Sequence, residues 1–182
     1  MTWMMPSLQK MSPMPDQSRV IVTNTTPLIA LTAATGNLDV LRSLYARVIV
    51  PYEVAEEIRA GGKDAFGVDV FEQALWLEIN TNPVVLPPYL ENTLDRGEAS
   101  VIQTALQEGV KLVCIDEIVG RRIARLSNLN TTGSIGILLK AKSMGYPVSV
   151  PEAIDRMRER GIWLSQSVIR FALEQSGSSE NE

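Results

Sequence analysis

The chain has 182 residues, of which 45% are hydrophobic, and its formal net charge at pH 7 is -4. This length suits one well-buried domain, and the negative charge provides no global attraction to nucleic acid, so any such binding needs a local basic face. The sequence contains no histidine, which excludes Ser-His-Asp triads, Cys-His pairs and zinc sites that use histidine.

The two ends of the chain differ in composition from its centre. Residues 1–17, rich in Met, Pro and Ser, predict a flexible extension, and residues 176–182 predict a flexible tail, which leaves a single domain over residues 18–175. The lone cysteine, Cys114, lies in an apolar run and is expected in the core of a protein from a reducing compartment. Because we recognise neither a signal peptide nor an apolar run of about 18 residues, we expect a cytoplasmic protein without a membrane span.

Short apolar runs alternate with helical patterns along the rest of the chain. The predicted strands are residues 19–23, 47–50, 77–80 and 111–115. The predicted helical segments are residues 27–36, 38–45, 51–61, 69–76, 95–109, 117–126, 133–145, 151–161 and 165–175. Continuous apolar strands are typical of parallel sheets buried on both faces. The alternation predicts an α/β fold, a three-layer sandwich with a central parallel sheet of four or five strands.

Polar and acidic side chains follow the strands of this predicted sheet. Asn24 comes directly after the first strand, and Asp116 comes directly after the fourth. Glu57 lies in the helical segment after the second strand, and Glu98 lies near the start of the segment before the fourth. Because ligands of open parallel sheets collect at the carboxyl ends of the strands, these side chains are candidates for one site. Two carboxylates about 5 Å apart repel by roughly 3 kcal/mol, so such a cluster implies a divalent cation.

Each candidate also has a simpler interpretation that the sequence leaves open. Asp95 and Glu98 have the spacing of a helix capping box. Glu57 is consistent with an acid on a solvated helix face. Asn24 suits a turn or a helix cap, and Asp116 suits the cap of the helix that follows it.

Four segments, in this order along the chain, resemble a known family. They are VIVTNTTPLIAL, VPYEVAEEI, LDRGEASVIQTALQEGVKLVCIDEIVGRRIA and TGSIGILLKAKSMG, within residues 20–165. The sequence resembles PIN-domain proteins, in particular the prokaryotic VapC-like branch with GEA and GRR motifs. The resemblance implies a ribonuclease that depends on Mg²⁺ or Mn²⁺ and acts as the toxin of a toxin–antitoxin pair. It also implies RNA as the substrate and a small antitoxin protein as a partner.

The resemblance assigns roles to the candidate residues. It implies a catalytic site formed by Asn24, Glu57, Glu98 and Asp116. Of these, Asn24, Glu98 and Asp116 are the implied metal ligands. The family usually has Asp at the position of Asn24, so three carboxylates would bind one divalent ion weakly and a second one poorly. RNA would be hydrolysed by a metal-activated water.

Thr26, Arg121 and Arg122 are interpreted as substrate-binding residues. Thr26 would hold a ligand in place through a hydrogen bond, and one of the arginines would contact a phosphate of the substrate. The arginines are equally consistent with a solvated helix face, where Arg121 would pair with Glu117 at i,i+4 spacing.

Two other functions and one assembly are considered. A PIN-like module with weak catalysis could dock a protein partner or RNA. A phosphatase on a related sheet needs a nucleophilic Asp at the end of the first strand, and Asn24 argues against it. We also expect a symmetric homodimer, formed by apolar stripes on segments 38–45 and 69–76.

Overall fold

The computed structural model describes residues 19–177 of the chain. The predicted flexible extension, residues 1–17, lies outside this range, as do residues 178–182 of the predicted tail. The first tail residue, Ser176, directly follows the last helix, and its carbonyl accepts a hydrogen bond of 2.7 Å from Lys142 Nζ. None of the helices in residues 19–177 has the length and apolar character needed to span a membrane.

Five strands form one parallel sheet. They are β1 (Val20–Thr23), β2 (Arg47–Val50), β3 (Glu78–Ile79), β4 (Leu112–Cys114) and β5 (Asn130–Thr132). Their order across the sheet is β3-β2-β1-β4-β5, and every neighbouring pair is parallel. The four predicted strands correspond to β1–β4. Strand β5 was not predicted because its three residues are polar and it lies at the edge of the sheet.

Ten helices flank this sheet within the described residues. They are α1 (Thr25–Thr35), α2 (Asp39–Leu44), α3 (Tyr52–Ala60), α4 (Val68–Gln73), α5 (Pro88–Glu91), α6 (Arg96–Glu108), α7 (Ile118–Leu126), α8 (Ser134–Ser143), α9 (Val150–Glu159) and α10 (Gln166–Gln175). All except α5, a single turn after Pro87, match predicted helical segments. The predicted three-layer α/β sandwich with a central parallel sheet is confirmed.

Helix α1 begins earlier than its sequence pattern suggests. It starts at Thr25, two residues before Pro27, because proline is tolerated in the first turn of a helix, where its missing N–H has no partner to lose. Its far end is closed by Gly36, which adopts a left-handed conformation with φ 81°. The early start places Thr25 and Thr26 in the first helical turn, directly beside the end of β1.

The chain changes direction across the sheet between β1 and β4. Strands β2 and β3 lie on one side of β1, and β4 and β5 lie on the other. The backbone N–H of Asn24 donates to the carbonyl of Cys114 at 3.0 Å, which extends the pairing of these two strands to their carboxyl ends. In open α/β sheets, the crevice at such a switch point is the usual place for a ligand.

The hydrophobic core covers both faces of the sheet. Ile21, Val22, Ile49 and Val113 are fully buried on the central strands. Cys114 is also fully buried, which confirms its predicted place in the core.

The apolar side chains of α2 and α4 are buried within the chain. Val40, Leu41 and Leu44 of α2 and Val68 and Phe71 of α4 all belong to the core. These two helices were expected to offer free apolar stripes to a second copy of the chain. The chain itself covers most of these apolar side chains, but Leu75 of segment 69–76 is 90% exposed, and the homodimer stays a prediction.

Candidate functional site

Asn24 follows β1 and lies almost completely buried, with 3% of its surface exposed. Its side chain forms no capping hydrogen bond with α1, so the simpler interpretation as a side-chain helix cap fails. Its Nδ2 atom donates to Glu117 Oε2 at 3.4 Å. Its Oδ1 atom is buried and has no hydrogen-bond partner among the described residues. A buried carbonyl without a partner is costly, and it is available as a ligand for a cation.

Glu98 lies in the first turn of α6 and is also buried, with 6% of its surface exposed. Asp95 Oδ1 accepts a hydrogen bond of 2.8 Å from the backbone N–H of Glu98, so the predicted helix cap at Asp95 is present. Capping explains the backbone of Glu98 but leaves its carboxylate unexplained, because Oε1 is buried without a partner in the described residues. Burial, followed by the negative charges of Asp95 and Glu117, raises the pKa of Glu98 to about 7.

Glu57 reaches the same crevice from α3. It is exposed, and its Oε2 atom accepts a hydrogen bond of 2.6 Å from Thr25 Oγ1. A Cβ atom placed on Gly97 would lie 2.8 Å from Glu57 Oε2 and 3.2 Å from Asn24 Oδ1. The end of β1, helix α3 and the start of α6 therefore bring these oxygen atoms together around Gly97.

Asp116 follows β4 and makes contact with α8 rather than α7. Its Oδ1 atom accepts a hydrogen bond of 2.7 Å from the backbone N–H of Ser134, the first residue of α8. The expected cap of α7 by Asp116 is therefore wrong. Burial raises the pKa of Asp116, and the hydrogen bond from Ser134 together with the charge of Arg121 opposes part of this effect.

Glu117 is a further acid at this switch point, where the acidic crevice consists of Asn24, Glu57, Glu98, Asp116 and Glu117. Its Oε1 atom accepts a hydrogen bond of 2.5 Å from Thr26 Oγ1, and its Oε2 atom accepts the bond from Asn24. The negative charge of Glu117 raises the pKa of both Glu98 and Asp116. The sequence suggested a pairing of Glu117 with Arg121, but its carboxylate binds Asn24, which follows β1, and Thr26 of α1.

Glycines leave the room that these acidic side chains occupy. A Cβ atom on Gly120 would overlap Glu98 Oε1 and would lie 2.9 Å from Ile115 Cγ2. A Cβ atom on Gly133 would lie 2.5 Å from Asp116 Oδ1. Together with Gly97, these positions allow the backbone to pass directly beside the carboxylates.

The three residues interpreted as substrate-binding differ in their positions. Thr26 donates to Glu117 and so orients an acid of the crevice. Arg121 is half-buried, and its Nη1 atom lies 3.0 Å from the Cβ position of Gly133, next to Asp116. Arg122 is exposed on α7.

The comparison with protein families decides the class of this chain. The DUF3368 family, whose model is described as a PIN domain, matches residues 20–178. The chain belongs to the PIN-domain family. A comparison with curated proteins finds no match. PIN domains are generally metal-dependent nucleases, and those nucleases typically use divalent metals.

The acidic crevice of this PIN domain offers the donor atoms that a hard divalent cation prefers. These atoms are carboxylate oxygens and one amide oxygen, and two of them, Asn24 Oδ1 and Glu98 Oε1, are buried without partners. Within residues 19–177, no three Asp, Glu or Cys side chains are arranged around one point as a ready metal site. Instead, the carboxylates of Glu57, Asp116 and Glu117 bind protein donors. The fit to a divalent cation therefore rests on the two buried, unpartnered oxygens and on the oxygen chemistry of the neighbouring carboxylates.

A cleft of about 580 Å³ adjoins the crevice in this PIN domain. It is lined by Tyr52, Glu53, Glu56, Glu57, Ala60, Asp95, Arg96 and Gly97. Glu57 and Gly97 belong both to this cleft and to the crevice. A ligand in the cleft would therefore reach the acidic side chains directly.

Several participants in the site were not singled out from the sequence. Thr25 and Ser134 each donate to a predicted site acid, and Glu117 accepts from two predicted site residues. The position of Glu117 after β4 was a usable signal, since it also lies at a strand's carboxyl end. The donors Thr25 and Ser134 have no comparable sequence signal, because their partners lie far away in the chain.

Proposed function

We propose that this PIN domain is a metal-dependent ribonuclease of the VapC-like kind, the toxin of a toxin–antitoxin pair in the cytoplasm. The observation that carries the proposal is the pair of buried, unpartnered oxygens, Asn24 Oδ1 and Glu98 Oε1, in a crevice of acids at the switch point of the sheet. Such a pair is unfavourable in a protein without a ligand and favourable around a cation. Magnesium or manganese is the proposed cofactor.

Asn24, Glu98 and Asp116 are the proposed metal ligands. When bound there, the ion supplies a water of lowered pKa and stabilises charge on the phosphate in the transition state. With a pKa of about 7, Glu98 would keep its proton in the metal-free crevice below that pH and would have to lose it to serve as a ligand. Glu57 is exposed and hydrogen-bonded to Thr25, and its carboxylate is the proposed acceptor of a proton from the attacking water.

Helix α7 supplies a local basic face for RNA. Arg122 and Arg125 are exposed on it, and Arg121 lies beside Asp116 at the crevice. These guanidinium groups offset the overall charge of -4 where a phosphate backbone would approach. Arg121 and Arg122 therefore remain the proposed contacts to the scissile phosphate and its neighbour, and Thr26 holds Glu117 in place behind them.

A small antitoxin protein and a second copy of the chain are the proposed partners. Segment 69–76 supports the homodimer, because Leu75, two residues after the end of α4, is 90% exposed. A second apolar surface placed over Leu75 would remove this side chain from water.

One observation favours a second function, that of a PIN-like module that binds RNA or protein without useful catalysis. Hydrogen bonds already engage the carboxylates of Glu57, Asp116 and Glu117. A cation would have to compete with these bonds for its ligands.

A cleavage assay separates the two functions. Single-stranded RNA substrates are incubated with the full chain in manganese, in magnesium and in EDTA, and the same assay is run on Asp116→Ala and on Asp155→Ala. Asp155 is an exposed acid on α9 and serves as the matched control. We expect metal-dependent cleavage that is lost in Asp116→Ala and kept in Asp155→Ala. RNA binding without metal-dependent cleavage would establish the binding module instead.

A further inference from the structure

Glu117 lies where it can replace the charge that Asn24 lacks. The two side chains are hydrogen-bonded to each other, at the carboxyl ends of the neighbouring strands β1 and β4. Asn24 Oδ1, buried and unpartnered in the described part of the chain, belongs to the same amide whose Nδ2 atom binds Glu117. A cation bound at Oδ1 would therefore share the amide group of Asn24 with the negatively charged carboxylate of Glu117.

The carboxylate of Glu117 is held in a fixed orientation. Thr26 binds one of its oxygens and Asn24 binds the other. Each carboxylate oxygen has two acceptor positions, so one position on each oxygen remains for another partner. Both donors are neutral, and the charge of Glu117 is consequently not cancelled by the hydrogen bonds that position it.

Resting on the proposed function, we propose that Glu117 supplies the fourth negative charge of the cation site, in place of a carboxylate at position 24. The amide of Asn24 then has two roles: Oδ1 is a neutral ligand, and Nδ2 orients the charged group. The site holds Glu57, Glu98, Asp116 and Glu117 as its carboxylates, with Glu117 contributed by the start of α7 instead of the end of β1.

A charge exchange across this hydrogen bond tests the inference. In Glu117→Gln the charge is removed with little change in shape. In the double variant Asn24→Asp, Glu117→Gln, the charge moves to position 24, and the hydrogen bond can re-form with the introduced glutamine amide as the donor. Manganese affinity is measured by calorimetric titration, and the manganese-dependent shift in melting temperature is measured on the same proteins. Glu98→Gln and Asp155→Asn are the positive and negative controls.

We expect Glu117→Gln to weaken manganese binding by about tenfold or more, because one unit charge near the ion is lost. The double variant should recover most of this loss, and Asp155→Asn should bind like the parent. Unchanged affinity in Glu117→Gln, with binding lost in Glu98→Gln, would overturn the role of Glu117 and leave the metal site standing. A loss that the double variant does not recover would also overturn it, since Glu117 would then act only through its shape. Failure of the parent to bind manganese would overturn the proposed function itself.

Discussion

The amide of Asn24 donates to the carboxylate of Glu117 at 3.4 Å, and this bond joins the ends of β1 and β4 across 93 positions of the chain. An amide at position 24 is compatible with the charge of Glu117 because its N–H points at the carboxylate. An aspartate in the same place would face Glu117 with an oxygen instead. The side chain at position 24 therefore balances the stability of the metal-free crevice against its attraction for a cation.

Asn24→Asp should strengthen metal binding and lower the stability of the metal-free protein. The added carboxylate improves the ligand set for a hard divalent ion, so we expect tighter manganese or magnesium binding and RNA cleavage at least equal to that of the parent. Without metal, repulsion from Glu117 and its neighbours should lower the unfolding free energy by on the order of 2 kcal/mol. Calorimetric titration and thermal melts with and without manganese measure both effects. Asn82→Asp, on an exposed loop, is the control. Unchanged affinity and an unchanged metal-dependent melting shift would place Asn24 outside the reach of the ion.

The metal-free protein should lose stability as the pH rises toward neutrality. The pKa of Glu98 is about 7 in the folded chain, and the unfolded chain has the ordinary glutamate value of 4.5. The folded chain therefore binds the proton more tightly. Between these values the unfolded chain carries fewer protons, and the unfolding free energy falls with pH by at most about 1.4 kcal/mol per unit. Denaturant unfolding in EDTA across this range measures the slope. Glu98→Gln should flatten it, and a parent whose slope matches that of Glu98→Gln would contradict the assigned pKa.

Alanine substitutions at two helical glycines, Gly97 and Gly120, should differ in their effects on manganese binding and on stability. At Gly97 the nearest obstacle is the carboxylate of the exposed Glu57, which can move away. Gly97→Ala should therefore leave the melting temperature nearly unchanged and weaken manganese binding. At Gly120 the obstacles are the buried carboxylate of Glu98 and the side chain of Ile115, so Gly120→Ala should destabilise the fold by roughly 1–3 kcal/mol. Equal effects of both substitutions on the melting temperature would argue against this difference in surroundings.

The proposed homodimer should depend on Leu75. We expect light scattering to show a dimer at micromolar concentration for the parent, and a shift toward monomer for Leu75→Ser. Val85→Ser is the control, since Val85 is 83% exposed but lies in the loop between β3 and α5, outside segment 69–76. A parent that scatters only as a monomer, or a dimer that survives Leu75→Ser, would remove this segment from the interface.

Most of the sheet was predictable because its strands are apolar runs that bury both faces. Strand β5 escaped prediction because Asn130, Thr131 and Thr132 form no apolar pattern, and its pairing with β4 is decided by tertiary contacts. The rule that ligands collect at carboxyl ends pointed to Asn24 and Asp116. The rule could not tell which of two neighbouring acids at a strand end, Asp116 or Glu117, would bind Asn24.

Glu117 shows why local spacing could not resolve the site. Its position four residues before Arg121 favoured an ion pair along the helix. The actual donors, Thr26 and Asn24, are 91 and 93 residues away in the chain, and only the folded sheet brings them near. The carboxylate of Glu57 likewise accepts its hydrogen bond from another element, at Thr25.

The pairing of Asn24 with Cys114 places the cysteine next to the crevice, so its reactivity can be used to measure how often this region opens. Cys114 is the sole cysteine of the chain, and its carbonyl closes the seam between β1 and β4. Burial raises the pKa of its thiol and shields it from solvent, so a thiol-specific reagent can modify it only when the structure around β4 opens. The labelling rate of Cys114 in the native protein therefore measures how often this region opens. Manganese should lower the labelling rate of Cys114 in the parent and leave it unchanged in Glu98→Gln. Occupancy of the metal site can then be followed without an RNA-cleavage assay.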